Sequence, residues 1–161
     1  MSVKFLIVFL CVAAGATIGY LIMLSYKRTA VYLAGVCGVI GELKRNMTYR
    51  RDSVSTALGK VKVESSLLIK QMHEYADYAV GKDGAPAISR GFLSAELYAR
   101  VCEFFNSLGV SDSGSQTREL EEFGKLFEKL HAEAEQKFKK YGAVAVKLGF
   151  LLGLGVGVLT L

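Results

Sequence analysis

Side chains able to do chemistry are few in this chain, and their spacing assembles no reaction centre. His73 and His131 are the only histidines. His73 precedes Glu74, but no second histidine follows four residues on, so the HExxH zinc pattern is missing. Both read as helix-surface or core-edge residues. Cys11, Cys37 and Cys102 form no CxxC pair and leave an odd thiol, which argues against a structural disulfide. There is no GxxxxGK[ST] loop, because the glycines cluster in apolar runs where no polar group is at hand to cradle a phosphate. Carboxylates beyond Gln116 alternate with lysines as a solvated face rather than converging. These residues predict no enzyme, no metal and no cofactor. The net charge of +5 invites a nucleic-acid reading, but neither zinc-finger spacing nor an RNP-like aromatic motif accompanies it. No nucleic-acid partner is expected.

The elements around these residues are dominated by two glycine-studded apolar runs. Phe5–Tyr26 is 22 residues without a charge, fenced by Lys4 and by Lys27 with Arg28. Leu148–Leu161 closes the sequence and reaches back through Lys147 to about Gly142. A helix rises about 1.5 Å per residue, so about 20 residues cross a hydrocarbon layer about 30 Å thick. The first run is long enough to span; the second is so only if Lys147 snorkels its ammonium back to the headgroups. The division expected is residues 1–26 as an N-terminal transmembrane helix, 27–141 as one helical bundle domain, and 142–161 as a C-terminal transmembrane helix.

The middle section holds all 15 acidic residues and 18 of the 20 lysines and arginines, a net +3. Its basic residues gather near the runs: Lys27, Arg28, Lys44, Arg45, Arg50 and Arg51 after the first, Lys137, Lys139 and Lys140 before the second. Positive flanks mark the cytoplasmic side, so the bundle is expected in the cytoplasm. A cleaved signal peptide ending near Ala13–Ala16 is the rival reading. Against it, apolar sequence continues from Ile18 to Leu24, and Leu10 before Cys11 does not fit a lipoprotein site. An anchor is expected.

Within the runs, Cys11, Gly15 and Gly19 recur at steps of four, as do Ala145, Gly149, Gly153 and Gly157. Small residues on one face let helices approach closely, so the spans can pair with each other or either can bind a partner's span. Between the runs the pattern is helical throughout. Leu33, Val36, Ile40, Leu43 and Met47 continue the first helix as an amphipathic stripe. Asp52 is the expected N-cap of a short helix ending near Gly59. Helices are expected over about 65–80, with Leu68, Ile69, Met72, Tyr75, Ala76 and Ala79 inward, and over about 94–108, with Leu97, Val101, Phe104, Phe105 and Leu108 inward. The loop Gly81–Pro86 separates them. A long helix begins near Gln116, with Leu120, Phe123, Phe127, Leu130, Ala134, Phe138 and Tyr141 inward. It carries Glu121–Lys125, Glu133–Lys137 and Glu135–Lys139 at i,i+4. No period-two strand of useful length occurs, so the fold class is all-α.

Three stretches carry a resemblance: Glu42-Leu43-Lys44-Arg45-Asn46-Met47-Thr48-Tyr49, the segment Phe104–Gln116 with Leu108-Gly109-Val110-Ser111-Asp112 inside it, and the entry Lys140-Tyr141 through Lys147-Leu148-Gly149 to the last run. In order, spacing and length the chain resembles the stage III sporulation protein AB family of endospore-forming bacteria. It departs from that family's pattern after Tyr49, where Arg50-Arg51-Asp52-Ser53 replaces a proline-containing turn. The resemblance implies a small antiparallel bundle like the F-type platform proteins of type II secretion, flanked by two spans. It also implies a secretion-like channel complex between mother cell and engulfment-stage forespore, with a secretion-type ATPase among the partners. The bundle would then lie in the mother-cell cytoplasm and couple the ATPase to the membrane. Arg50, Arg51, Asp112 and Gln116 are the candidate interface, with Asp112 and Gln116 open to a capping role instead. Gly15, Gly19, Gly149, Gly153 and Gly157 are the candidates for packing within the bilayer. The alternative is a holin-like or generic membrane-anchored scaffold that forms homo-oligomers through its glycine-rich spans.

Overall fold

A computed structural model describes residues 3–49, 53–81, 86–109 and 113–159. Five helices follow in order: α1 (Val3–Tyr49), α2 (Val54–Gly59), α3 (Ser66–Ala79), α4 (Ala95–Ser107) and α5 (Ser113–Leu159). There is no strand among the described residues, and the fold is all-α. The chain divides into two compact units. One comprises the residues up to Ala30 and those from Ala132 onward; the other is Val31–His131.

The second unit is an antiparallel bundle. Tyr32 and Gly35 of α1 meet Gln71 and Leu68 of α3, so one helix ascends as the other descends. Ile40 lies beside Gly124 and Lys44 beside Glu121, which sets α5 antiparallel to α1 as well. Because α1 is flanked on two sides, its buried stripe is wider than its apolar period suggests. Leu33, Val36, Ile40 and Leu43 are buried, and so are Tyr32, Val39 and Asn46. Met47 at the stripe's end is only half-buried.

Aromatic rings fill the centre. Phe104 of α4 stands edge-on to Phe105, Phe123 and Phe127, with centroids 5.2, 5.6 and 5.9 Å away. Tyr75 of α3 closes the cluster at 5.6 Å from Phe105. Such offset and edge-to-face arrangements place positive ring edges on negative faces.

Serines set the helix starts. Ser94 accepts a hydrogen bond from the Leu97 amide at 3.2 Å, Ser65 from Leu68 at 3.5 Å and Ser53 from Thr56 at 3.3 Å. Each satisfies a donor that the first turn leaves unpaired. The cap of α2 is thus Ser53, one residue later than the expected Asp52, which lies outside the described residues. Helix α4 ends where Gly109 turns to φ +78°, a conformation that disfavours a side chain.

Two expectations for helix faces need correction. On α3 the buried residues are Leu68, Gln71, Met72 and Tyr75, whereas Ile69 is 40% exposed, Ala76 half-buried and Ala79 exposed. On α5, Tyr141, expected inward, is 44% exposed, and Glu121 faces Lys44 across the bundle at 3.7 Å. Among the expected i,i+4 pairs, Glu135–Lys139 closes at 2.8 Å.

Candidate functional site

In the first unit the candidate glycines come together. A Cβ built on Gly15 would run into the Gly149 carbonyl and lie 3.0 Å from the Gly153 backbone. One built on Gly19 would lie 2.5 Å from the Ala145 oxygen, and one on Gly153 2.5 Å from the Cys11 oxygen. Gly157 sits against Val8, and Gly142 against Met23. As numbers rise on α1 they fall on α5, so the two helices form an antiparallel hairpin with backbone touching backbone. Approach this close needs the small residues, because lipid is as apolar as leucine and only close packing favours protein over lipid contact. Tyr26 and Tyr141 meet with tilted rings, centroids 6.4 Å apart, at one end of this seam, with the Lys140 ammonium 5.2 Å above the Tyr141 ring.

Away from the seam the same helices are apolar and uncovered. Their most apolar windows have mean hydropathy 2.4 and 2.0, and only 6% and 17% of each is buried. A soluble protein's core helix is mostly covered; these two are long and apolar enough to cross a membrane and are not covered. Within α1, Thr17 returns its hydroxyl to the Ala13 carbonyl at 2.7 Å, which satisfies that donor. The chain therefore has two candidate membrane spans, each at one end.

The hairpin register sets the level of Lys147 against the first helix. It falls between Ala145 and Gly149, which face Gly19 and Gly15, so it is level with Thr17 and Ile18. It is exposed and shares a groove with Ala16 beside the seam.

In the bundle, only Gln116 of the candidate interface residues falls among the described residues. Arg50, Arg51 and Asp112 lie outside the described residues. Gln116 is inside the first turn of α5 and only 6% exposed, so it is neither a cap nor an open surface residue. Its Nε2 is buried without a hydrogen-bond partner.

The bundle's principal polar cluster lies elsewhere, around the segment 86–93 that leads into α4. Tyr32 donates to Gln71 Oε1 at 2.6 Å, and Gln71 Nε2 donates to the Ser89 carbonyl at 2.7 Å. Glu74 accepts from the Ser89 amide at 2.7 Å and from its hydroxyl. Tyr98 donates to the Ile88 carbonyl at 2.8 Å. Ile88 and Leu93 are buried on either side, and Gly91 at φ +55° leaves room for Leu67. Burial pushes the Tyr32 phenol above its ordinary range; the Cys102 contact and then burial do the same for Tyr98. Neutral phenols are good donors to carbonyls, so the cluster pins a non-helical strap to the bundle. Among the described residues, no group of three or more His, Cys, Asp or Glu could hold a metal ion.

No curated protein and no solved structure matches the chain. The sequence model of the stage III sporulation protein AB family matches residues 4–161, nearly the whole length, and the chain belongs to that family.

Proposed function

We propose that this protein is a two-pass membrane component of a secretion-like sporulation channel between mother cell and forespore. In this reading residues 1–26 and 142–161 lie in the mother-cell membrane facing the forespore. Residues 27–141 form a cytoplasmic bundle that couples a secretion-type ATPase to the membrane assembly. The protein itself does no catalysis and needs no cofactor. It acts through protein partners and the bilayer.

Family membership supports a role in stage III sporulation. The observation that carries the platform reading over a glycine-driven scaffold is the seam. The small-residue faces of both spans are occupied by each other within one chain. A holin-like assembly through the same glycines would have to open that hairpin first. Continuity adds support: α1 runs unbroken from Val3 to Tyr49 and α5 from Ser113 to Leu159, so each candidate span shares a helix with the bundle.

Topology is the deciding test. A cysteine-free variant carrying Glu96→Cys, exposed on α4, is labelled with a membrane-impermeant thiol reagent in intact cells and in lysates. Labelling only after lysis is expected, with co-purification of the ATPase as the next step. Labelling of intact cells would put the bundle outside the cytoplasm and end the coupling reading.

A further inference from the structure

Lys147 is the only charged residue between Gly142 and Leu161, and residues 5–26 carry none. This inference rests on the bilayer placement proposed above. If residues 5–26 fill the hydrocarbon layer, its midplane lies between Gly15 and Ala16. The hairpin register then puts the Lys147 Cα about 3 Å from that midplane, on the bundle side. The nearer headgroup boundary is about 12 Å further along the axis, half of a layer about 30 Å thick less that offset. A fully extended lysine stem reaches about 6 Å. Helical side chains lean towards their N-terminus, which on α5 is the bundle side, so this reach is already in the favourable direction. The ammonium still stops about 6 Å short of the headgroups.

Among the described residues, no carboxylate meets it there. Both spans lack Asp and Glu, so the hairpin offers no carboxylate, and neither does a second copy of the same chain. The Lys147 stem lines a groove of about 440 Å³ together with Ala16, Val146, Phe150 and Leu151, all of them through apolar atoms. The groove lies beside the glycine seam, so hairpin closure leaves it free. Ionisable residues inside a membrane face a protein or aqueous partner and pair with opposite charge.

We infer that the Lys147 groove docks a transmembrane helix of another protein, one that is apolar apart from a carboxylate near mid-membrane. The groove receives that helix's apolar side chains, and Lys147 forms the ion pair that fixes depth and orientation. An apolar helix without the carboxylate leaves the ammonium unpaired and is rejected.

The full-length protein in phosphatidylcholine vesicles tests this against three labelled synthetic helices of leucine and alanine. One carries Glu at its centre, one Gln and one Leu, and association is read by energy transfer to a label on the protein. Vesicle flotation of the wild type and of Lys147→Leu comes first. A wild type that fails to float overturns the bilayer placement and this inference together. With both inserted, the Glu helix is expected to bind the wild type about tenfold more tightly than the Leu helix. That preference is retained in Lys147→Arg and lost in Lys147→Leu. The leucine variant makes the span more apolar, so its loss of binding cannot be laid to failed insertion. Equal binding of the Glu and Leu helices, or an undiminished preference in Lys147→Leu, overturns the ion pair. Lys147-dependent association of the protein with itself, in place of the Glu helix, overturns the choice of partner.

Discussion

Two alanine substitutions in the same helix should have opposite effects if the hairpin closes through its glycines. A Cβ on Gly149 would strike the Gly15 carbonyl and lie 3.2 Å from the Gly15 carbonyl carbon and from the Gly19 Cα. All of these are backbone atoms, so no rotamer change relieves the contact and the helices must separate. Overpacking of this kind costs about 1–3 kcal/mol, and alanine's better helix propensity returns about 0.5–1 kcal/mol. Gly149→Ala should therefore destabilise the hairpin by about 0.5–2 kcal/mol. Gly155, six residues on, has nothing within 4 Å of its built Cβ. Gly155→Ala keeps only the propensity gain, so the two variants should differ by about 1–3 kcal/mol. Thermal unfolding of the purified protein in micelles reads this, followed by energy transfer between labels on cysteines placed at the exposed Tyr20 and Leu148. Equal shifts for the two alanines would refute the backbone seam. Mixing singly labelled chains supplies the second control: strong transfer between chains would mean that the ladders serve oligomers, as the scaffold alternative requires.

The strap cluster allows a double-mutant cycle. Gln71→Leu strands the Tyr32 hydroxyl and the Ser89 carbonyl and should cost about 2–4 kcal/mol, Tyr32→Phe about 1–2, and both together less than their sum; additive urea midpoints would refute the shared hydrogen bond. The phenols of Tyr32 and Tyr75 are both raised above the ordinary 10.0 by burial. The unfolded chain releases these protons near that value while the folded chain holds them, so their stabilisation is full below it and falls as pH rises further. Urea midpoints measured from about pH 9 to about pH 11 should decline less steeply for Tyr32→Phe than for the wild type, and identical slopes would refute the assignment.

Periodicity made the helices legible but not their neighbours. The α1 stripe of Leu33, Val36, Ile40 and Leu43 is readable because apolar residues recur at the helical step. Val39 and Asn46 are buried as well, because α3 and α5 flank α1 on two sides, and no pattern within one helix announces a second neighbour. On α3 the apolar Ile69 was expected inside and the polar Gln71 was not. Position 71 nevertheless shares a face with Leu68, Met72 and Tyr75, and Tyr32 and Ser89 supply the hydrogen bonds that make its burial tolerable. Glu121 illustrates the same limit: its i,i+4 lysine was visible in the sequence, its cross-bundle Lys44 was not. Of the caps, Asp52 was expected for α2 and Ser53 makes it, a difference of one residue between two side chains that both favour that position.

The glycine ladders show most sharply what sequence leaves open. Steps of four identify a close-packing face but do not name the helix that meets it. Only the pairing of Gly15 with Gly149 and of Gly19 with Ala145 fixes a register. That register does two things at once. It occupies the face through which a glycine-driven oligomer would form, and it sets Lys147 level with Thr17 and Ile18 of α1. A self-sufficient hairpin with one outward charge is poorly suited to packing against copies of itself, because each copy would bring a second cation and no anion. The same hairpin is well suited to a fixed place beside a different, acidic span. On the platform reading this supplies a membrane contact to complement whatever the bundle engages in the cytoplasm. The two contacts are separable, because Lys147→Leu removes the first without touching a residue of the bundle.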